Sequence, residues 1–279
     1  MNKPNRIDQV RRTPSDIHSI HNGEGYPVIL IHGLAASLYD WTDLIPELNK
    51  AGYESYAIDL PGHGQSKKPE NKTDFNINFV FTSFCNWLEE MQIDHPLTII
   101  GHSLGAYIAI KYALLYPDRV ISLILCDPFY TISQLPFILR LNYKYSLIDT
   151  SFIAKVPGWM VRYVIDFTSL FIRNGYELPQ NIREQTAIDY KRAHPEIFQI
   201  VQSIKDLSPF FYSIKQPTLV LWGSRDQTLD IASFPMVLAK IPKASGGAIA
   251  GAGHVPHQSH STEFNQQVLA FLGNLYHPK

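Results

Sequence analysis

Cysteine is scarce in this sequence: the 279 residues include only two, Cys85 and Cys126. Two thiols cannot build the disulfide framework that small secreted domains use, so we interpret both as buried apolar residues in a reducing compartment. Excess charge is also missing, since 24 basic residues face 25 acidic ones and the formal net charge is -1. Nucleic-acid binders usually carry a basic excess or a basic stripe, so no nucleic-acid partner is expected.

Long apolar runs are absent as well. No stretch approaches 18 uncharged apolar residues, and the first residues, MNKPNRIDQVRRTPSD, lack the apolar centre of a secretory signal. We therefore expect no membrane span and a cytoplasmic location. What is plentiful is material for a packed core: hydrophobic residues make up 45% of the chain and charged residues 18%. That balance excludes a disordered protein.

Short apolar runs that end in glycine or proline signals recur along the chain, and they read as buried strands. Helical patterns at 103–116 and 262–275 lie among them. Strands that alternate with helices predict an α/β fold with a mainly parallel central sheet covered on both faces. The predicted strands are 28–31, 53–60, 97–100, 120–126, 218–222 and 248–250.

This alternation stops between residues 127 and 215, where no clear strand is visible. Apolar residues at helical spacing over 156–171 predict an amphipathic helix there. We interpret 128–215 as a helical cap (lid) subdomain inserted into a core formed by 1–127 and 216–279. Docking of the 156–171 stripe on lipid is the alternative, but its polar face lacks a Lys/Arg cluster, so packing over an active site is favoured.

The sharpest motif is Gly101-His102-Ser103-Leu104-Gly105, which lies between a predicted strand and a predicted helix. This G-x-S-x-G spacing puts a serine on a tight, strained strand-to-helix turn, where its hydroxyl projects from the end of the sheet. The flanking glycines allow neighbouring elements to approach. The backbone N–H of Leu104 would then point to where an oxyanion forms. We predict Ser103 to be a nucleophile.

Around this motif the sequence resembles the α/β-hydrolase superfamily, in particular its capped, serine-nucleophile, esterase- and lipase-like members. The motifs that carry the resemblance follow in the family's order: His32-Gly33-Leu34, Asp59-Leu60-Pro61-Gly62-His63-Gly64-Gln65-Ser66, Tyr116-Pro117-Asp118-Arg119-Val120, Gly223-Ser224-Arg225-Asp226 and Gly251-Ala252-Gly253-His254. The resemblance implies the α/β-hydrolase fold, with the helical cap inserted after the sixth strand, and a triad in the chain order Ser, Asp, His.

The resemblance and the chemistry together assign the other roles. A serine hydroxyl needs a base, and His254 is the candidate because imidazole takes and returns a proton near neutral pH. Asp226 is the favoured partner that holds the imidazole, Asp127 the alternative. The resemblance further implies an oxyanion hole of the Leu34 and Leu104 backbone N–H groups. His257 and His260, three residues apart, could suggest a metal site, but no acidic or cysteine partner set accompanies them, so no metal and no cofactor are expected.

These residues predict acyl transfer to water, most simply hydrolysis of a carboxylic ester with an apolar acyl or alcohol group. By the same resemblance, Trp41 and Phe129 are pocket candidates, although a core role fits both. Three alternatives stay open: hydrolytic C–C cleavage of ring-cleavage products, a non-catalytic ligand receptor on the same fold, and cofactor-free perhydrolysis. The sequence does not reveal the oligomeric state.

Overall fold

A single seven-stranded sheet organises the chain. The computed structural model describes residues 15–93, 95–137, 139–141, 160 and 178–276. The strands, in chain order, are β1 (Ser19–Asn22), β2 (Tyr26–Ile31), β3 (Tyr53–Ile58), β4 (Leu97–His102), β5 (Val120–Cys126), β6 (Thr218–Gly223) and β7 (Ala244–Ile249). Their order across the sheet is β1-β3-β2-β4-β5-β6-β7. All neighbouring pairs are parallel except β1 with β3, which is antiparallel. The predicted α/β class with a mainly parallel sheet is confirmed.

Helices cover both faces of this sheet. Those in the described part are α1 (Ile45–Lys50), α2 (Ile77–Glu90), α3 (Leu104–Leu115), α4 (Gln180–Arg192), α5 (Phe234–Lys240), α6 (Pro256–Ser259) and α7 (Ser261–Tyr276). Alternate residues of β2 enter two different hydrophobic clusters: Ile29 and Ile31 join one, Val28 and Leu30 the other. Both faces of the strand are therefore buried, which explains its unbroken apolar run.

The central helix α3 is apolar on nearly every side, and its residues from Leu104 to Ile110 are all buried. It starts directly after β4 and packs against β4 and β5 in the middle of the sheet. Because α3 is fixed by burial all round, the turn that joins it to β4 is held rigidly. This is the turn that carries Ser103.

The predicted insertion lies between β5 and β6. The strand before it is the fifth of the described strands, whereas the family resemblance implied an insertion after the sixth. In the described part of 128–215 the chain forms α4 and 3₁₀ stretches, including Pro195–Ser203 and Ser208–Ser213, and no strand. The boundaries of the cap stay a prediction, and of the amphipathic helix predicted at 156–171 all but Met160 lies outside the described residues. No helix among the described residues combines the length and hydropathy needed to cross a bilayer.

Candidate active site

Ser103 sits on a strained turn at the carboxyl end of β4. Its φ of 49° and ψ of -110° lie outside the regions that non-glycine residues ordinarily adopt. The turn is held by the Ser103 N–H, which donates to the carbonyl of Cys126 at 2.9 Å. A Cβ on Gly105 would collide with the carbonyl of Ile31, and one on Gly101 would collide with the backbone of Gly105. Glycine is therefore required at both positions, and the strand-turn-helix geometry matches the sequence expectation.

His254 and Asp226 form a hydrogen-bonded pair on the loops that follow β7 and β6. The Nδ1 of His254 lies 2.8 Å from Oδ2 of Asp226. The other carboxylate oxygen, Oδ1, accepts from the backbone N–H groups of Thr228 at 2.7 Å and Leu229 at 3.1 Å. Burial alone would raise the pKa of Asp226, but His254 and these two donors outweigh it and lower that pKa below its usual range. Asp226 is thus an ionised carboxylate that orients the imidazole.

Asp127, the alternative acid, lies beside Asp226 and His254, but its protonation state differs from that of Asp226. One ligand atom from each of Asp127, Asp226 and His254 falls within 4.8 Å of the others. Asp127 is fully buried, and its Oδ1 accepts from the N–H of Gly223 at 3.0 Å. Burial raises its pKa well above the usual range, and the negative charge of Asp226 raises it further. Asp127 is therefore a neutral carboxylic acid beside the ionised Asp226.

The two predicted oxyanion donors, Leu34 and Leu104, both border the cavity that contains Ser103 and His254. Within the described ranges neither backbone N–H donates to a protein acceptor. The orientation of the Leu34 N–H is set by its neighbour. His32 accepts from the N–H of Leu60 at Nε2, 2.9 Å away, so its Nδ1 carries the proton and donates to the carbonyl of Gly33 at 2.6 Å. Fixing that carbonyl fixes the whole Gly33–Leu34 peptide plane.

A cavity of about 430 Å³ opens above Ser103 and His254. Its walls are mostly apolar and include residues from the described part of 128–215: Leu34, Ala35, Leu104, Phe129, Leu135, Leu139, Leu178, Phe198, Val201, Leu229 and Val255. Its volume falls in the range of small-molecule sites. No hydrogen bond joins Ser103 to His254 among the described residues. Such contacts commonly tighten only when substrate is bound.

The two pocket candidates separate. Phe129 lines the cavity above Ser103 and His254. Trp41 does not: it is fully buried in the hydrophobic cluster beneath the site and packs on the ring of His257, with centroids 4.8 Å apart. The 3₁₀ turn Leu38–Trp41 points the indole into the core and leaves its neighbour Asp40 on the cavity side. Trp41 therefore belongs to the core and is not among the residues that line this cavity.

Two carboxyls that sequence reasoning did not single out also border the cavity. Asp40 is 6% exposed and Asp189, on helix α4, is 2% exposed. Asp189 accepts from Ser37 Oγ and from Gln185 Nε2, each at 2.9 Å. Burial raises the pKa of Asp189 to about 7, with a further contribution from the charge of Asp40. No local motif marks either residue, because their partners come from distant parts of the chain.

The other histidines near the site each contact a different part of the protein. His63 is buried in the turn after β3, and its Nδ1 contacts the carbonyl of Pro61 at 3.0 Å. His102 is buried beneath Ser103. His260 bonds Ser259 Oγ, 3.0 Å from its Nδ1. His257 points into the protein, towards His102, with ring centroids 4.4 Å apart. The structure therefore places His257 beside His102 and not with His260, the partner that the three-residue spacing suggests.

Comparison with known proteins agrees with this geometry. The model of the alpha/beta hydrolase fold family matches residues 26–186, which is more than half of the chain. The chain belongs to the α/β-hydrolase family. The matched range includes the Ser103 motif and ends before Asp226 and His254.

Three proteins that are similar to this chain differ widely in their names and lengths. Abhydrolase domain-containing protein abhd-5.2 of Caenorhabditis elegans is 30% identical over 88% of this chain and 59% of its own length. The chain thus spans under two thirds of that relative. A 2-hydroxy-6-oxononadienedioate/2-hydroxy-6-oxononatrienedioate hydrolase of Pseudomonas putida is 25% identical over 96% of both chains. The structure of a bacterial membrane phospholipase A is 26% identical, with a TM-score of 0.73 over 94% of this chain and 83% of that one.

Proposed function

We propose that this chain is a serine hydrolase that cleaves carboxylic esters with an apolar acyl or alcohol group through an acyl-enzyme. The observation that carries the proposal is that the strained Ser103 turn and the His254–Asp226 pair border one largely apolar cavity. The family supports hydrolysis, and the phospholipase relative supports ester substrates.

The proposed reaction follows from the positions of the groups. His254 takes the proton of Ser103 as Oγ attacks the ester carbonyl, and the ionised Asp226 stabilises the imidazolium. The Leu34 and Leu104 N–H groups donate to the resulting oxyanion. The alcohol leaves with the proton from His254. Water, deprotonated by His254, then attacks the acyl-enzyme and releases the acid, so the enzyme returns to its starting state.

The test is hydrolysis of p-nitrophenyl esters from C2 to C12 by wild type and Ser103→Ala. We expect turnover that Ser103→Ala abolishes and a preference for medium or long acyl chains over acetate. Labelling by a fluorophosphonate should occur in wild type and fail in the variant. A chain that neither turns over any ester nor reacts with the probe would contradict a serine-hydrolase role and favour a ligand receptor.

A second candidate reaction is supported by the Pseudomonas putida relative, which aligns over nearly the full length of both chains. A 2-hydroxy-6-oxo dienedioate contains no ester, so its hydrolysis breaks a carbon–carbon bond. The same serine, base and oxyanion donors would serve that reaction. Turnover of such a ring-cleavage product by wild type, with reaction of the fluorophosphonate but no activity on esters, would select this candidate.

A further inference from the structure

Beneath Ser103, three buried polar atoms converge on one point. They are Oδ2 of Asp40, Nδ1 of His102 and Nε2 of His257. The carboxylate oxygen lies 3.6 Å from the His102 nitrogen and 3.7 Å from the His257 nitrogen. One ligand atom from each residue falls within 4.8 Å of the others, and each side chain is at most 5% exposed. None of the three atoms has a hydrogen-bond partner in the described part of the chain.

The proton positions make this cluster unusual. The Nε2 of His102 lies 2.8 Å from the carbonyl oxygen of His254, and a carbonyl only accepts, so Nε2 carries the proton. In a neutral ring this bond selects the tautomer in which Nδ1 of His102 presents a lone pair to the carboxylate oxygen of Asp40. Two acceptors then face each other.

The third atom follows the same logic. The Sγ of Cys126 lies 3.5 Å from Oδ2 of Asp127 and points its S–H there, so Sγ accepts from the Nδ1–H of His257 at 3.4 Å. The Nε2 of His257 is then a third lone-pair donor. Leaving a carboxylate and two imidazole nitrogens buried without a positive partner is unfavourable, because each group has lost its hydration without gaining a donor.

We propose that Asp40, His102 and His257 bind a divalent transition metal, with Zn²⁺ the ion of best fit. Ligands about 2.1 Å from a tetrahedral zinc ion lie about 3.4 Å apart, close to the two distances found here. Two imidazoles and one carboxylate are a common ligand set for such ions, and water takes the fourth position. A cation there would also neutralise the buried charge of Asp40.

The atoms on the far side of each ligand support the proposal. Metal-bound histidines generally anchor their other nitrogen on a carbonyl or similar group, and bound carboxylates are anchored as well. Here Nε2 of His102 is held by the carbonyl of His254, Nδ1 of His257 by Cys126, and Oδ1 of Asp40 by Gln258 Nε2 at 2.5 Å. All three ligands are thus oriented by a second partner that leaves the converging atom free.

The site would act as a structural clamp. Asp40 belongs to the 3₁₀ turn after the oxyanion loop, His102 precedes Ser103, and His257 lies on α6, which follows the His254 loop. One ion would therefore tie together the three segments that carry the oxyanion donor, the nucleophile and the base. Since Ser103 and His254 Nε2 are not ligands, the inference does not depend on the proposed esterase activity.

The test uses the untagged full chain, stripped with EDTA and titrated with Zn²⁺ and Co²⁺. We expect about one equivalent to bind, a rise in the thermal midpoint of several degrees, and the visible absorption of four-coordinate Co²⁺. His257→Gln should abolish the absorption and the thermal shift, and Asp40→Asn should weaken binding at least about 100-fold. Gln258→Ala, which removes only the anchor of Asp40, should weaken binding about 10–100-fold and guards against a folding defect in the other variants.

Two controls make the outcome decisive. The atoms of Asp127, Asp226 and His254 form a second cluster of possible ligands, so His254→Gln must retain the metal if the proposal is right. His21→Gln, at a half-exposed position on β1, should also bind normally. Binding lost in His254→Gln but kept in His257→Gln would overturn the proposal. So would a wild-type chain that takes up no metal and shows no thermal shift, because a proton would then bridge the three groups.

Discussion

The two carboxyl groups nearest to His254 differ in charge because each has different neighbours. Asp226 is ionised, since His254 and two backbone donors stabilise its charge, whereas Asp127 is neutral because burial and the adjacent charge of Asp226 raise its pKa. An acid that orients an imidazolium must be the charged one. This difference, rather than chain position alone, selects Asp226 over Asp127.

Substitution by asparagine distinguishes the two. We expect Asp226→Asn to lower kcat about 10⁴-fold, because the amide no longer holds the productive tautomer of His254. The matched Asp127→Asn variant replaces a neutral acid by a neutral amide whose oxygen still accepts from Gly223. Its kcat should stay within about 10-fold of wild type. Steady-state kinetics on the preferred ester measure both, and an equal loss in the two variants would contradict the assignment.

At the scale of elements, close packing around the Ser103 turn is the main constraint. A methyl group at position 105 would strike the Ile31 carbonyl. We expect Gly105→Ala to destabilise the fold by about 3 kcal/mol or more, since β2 and α3 cannot separate without disturbing the sheet. The measurement is equilibrium unfolding in urea.

Helix α7 offers the matched control. Nothing lies within 4 Å of a Cβ built on Gly273, which is inside this helix. Gly273→Ala should therefore be neutral or stabilise the protein by up to about 1 kcal/mol, because alanine favours the helix and restricts the unfolded chain. If both alanine variants unfolded at the wild-type urea concentration, tight packing at the turn would not explain the requirement for glycine.

Helices and strands marked by a local pattern could be predicted from the sequence. Strands whose position depends on pairing with a neighbouring strand could not. The buried strands β2, β4, β5 and β6 have continuous apolar runs, and the Ser103 turn has its motif. Strand β1 reads Ser-Ile-His-Asn, and it was missed because an edge strand with one exposed end carries no apolar run. Strand β7 begins at Ala244, earlier than expected, because its two glycines hide the pattern.

The same division applies to the site. Ser103, Asp226 and His254 follow strands and belong to recognisable motifs, so they could be proposed. Asp40 could not, because the partner that orients it, Gln258, is 218 residues away. Asp189 depends on Ser37 across 152 residues and lies in the insertion, where the sequence gives only helical periodicity. Contacts of this range are set by the folded chain as a whole.

At the scale of the whole molecule, Asp189 links the cavity to global stability. An unfolded aspartate titrates near pH 4, whereas burial and the charge of Asp40 raise the pKa of Asp189 in the folded chain to about 7. Between these values the folded state binds more protons than the unfolded state. Its contribution to stability is therefore present at low pH and lost as the pH rises, with a slope of up to about 1.4 kcal/mol per pH unit.

Asp189→Asn should remove this dependence. The amide oxygen can still accept from Ser37 or Gln185, but no charge has to be buried above pH 7. We expect the variant to unfold at a higher temperature than wild type at pH 8, with the difference shrinking towards pH 4. Asp118→Asn, at an exposed position after α3, is the control. Its unfolding temperature should differ from that of wild type by the same small amount at every pH. A difference that stayed flat in Asp189→Asn would mean that Asp189 is ionised in the folded cavity, and that a cation or a protonated partner compensates its charge.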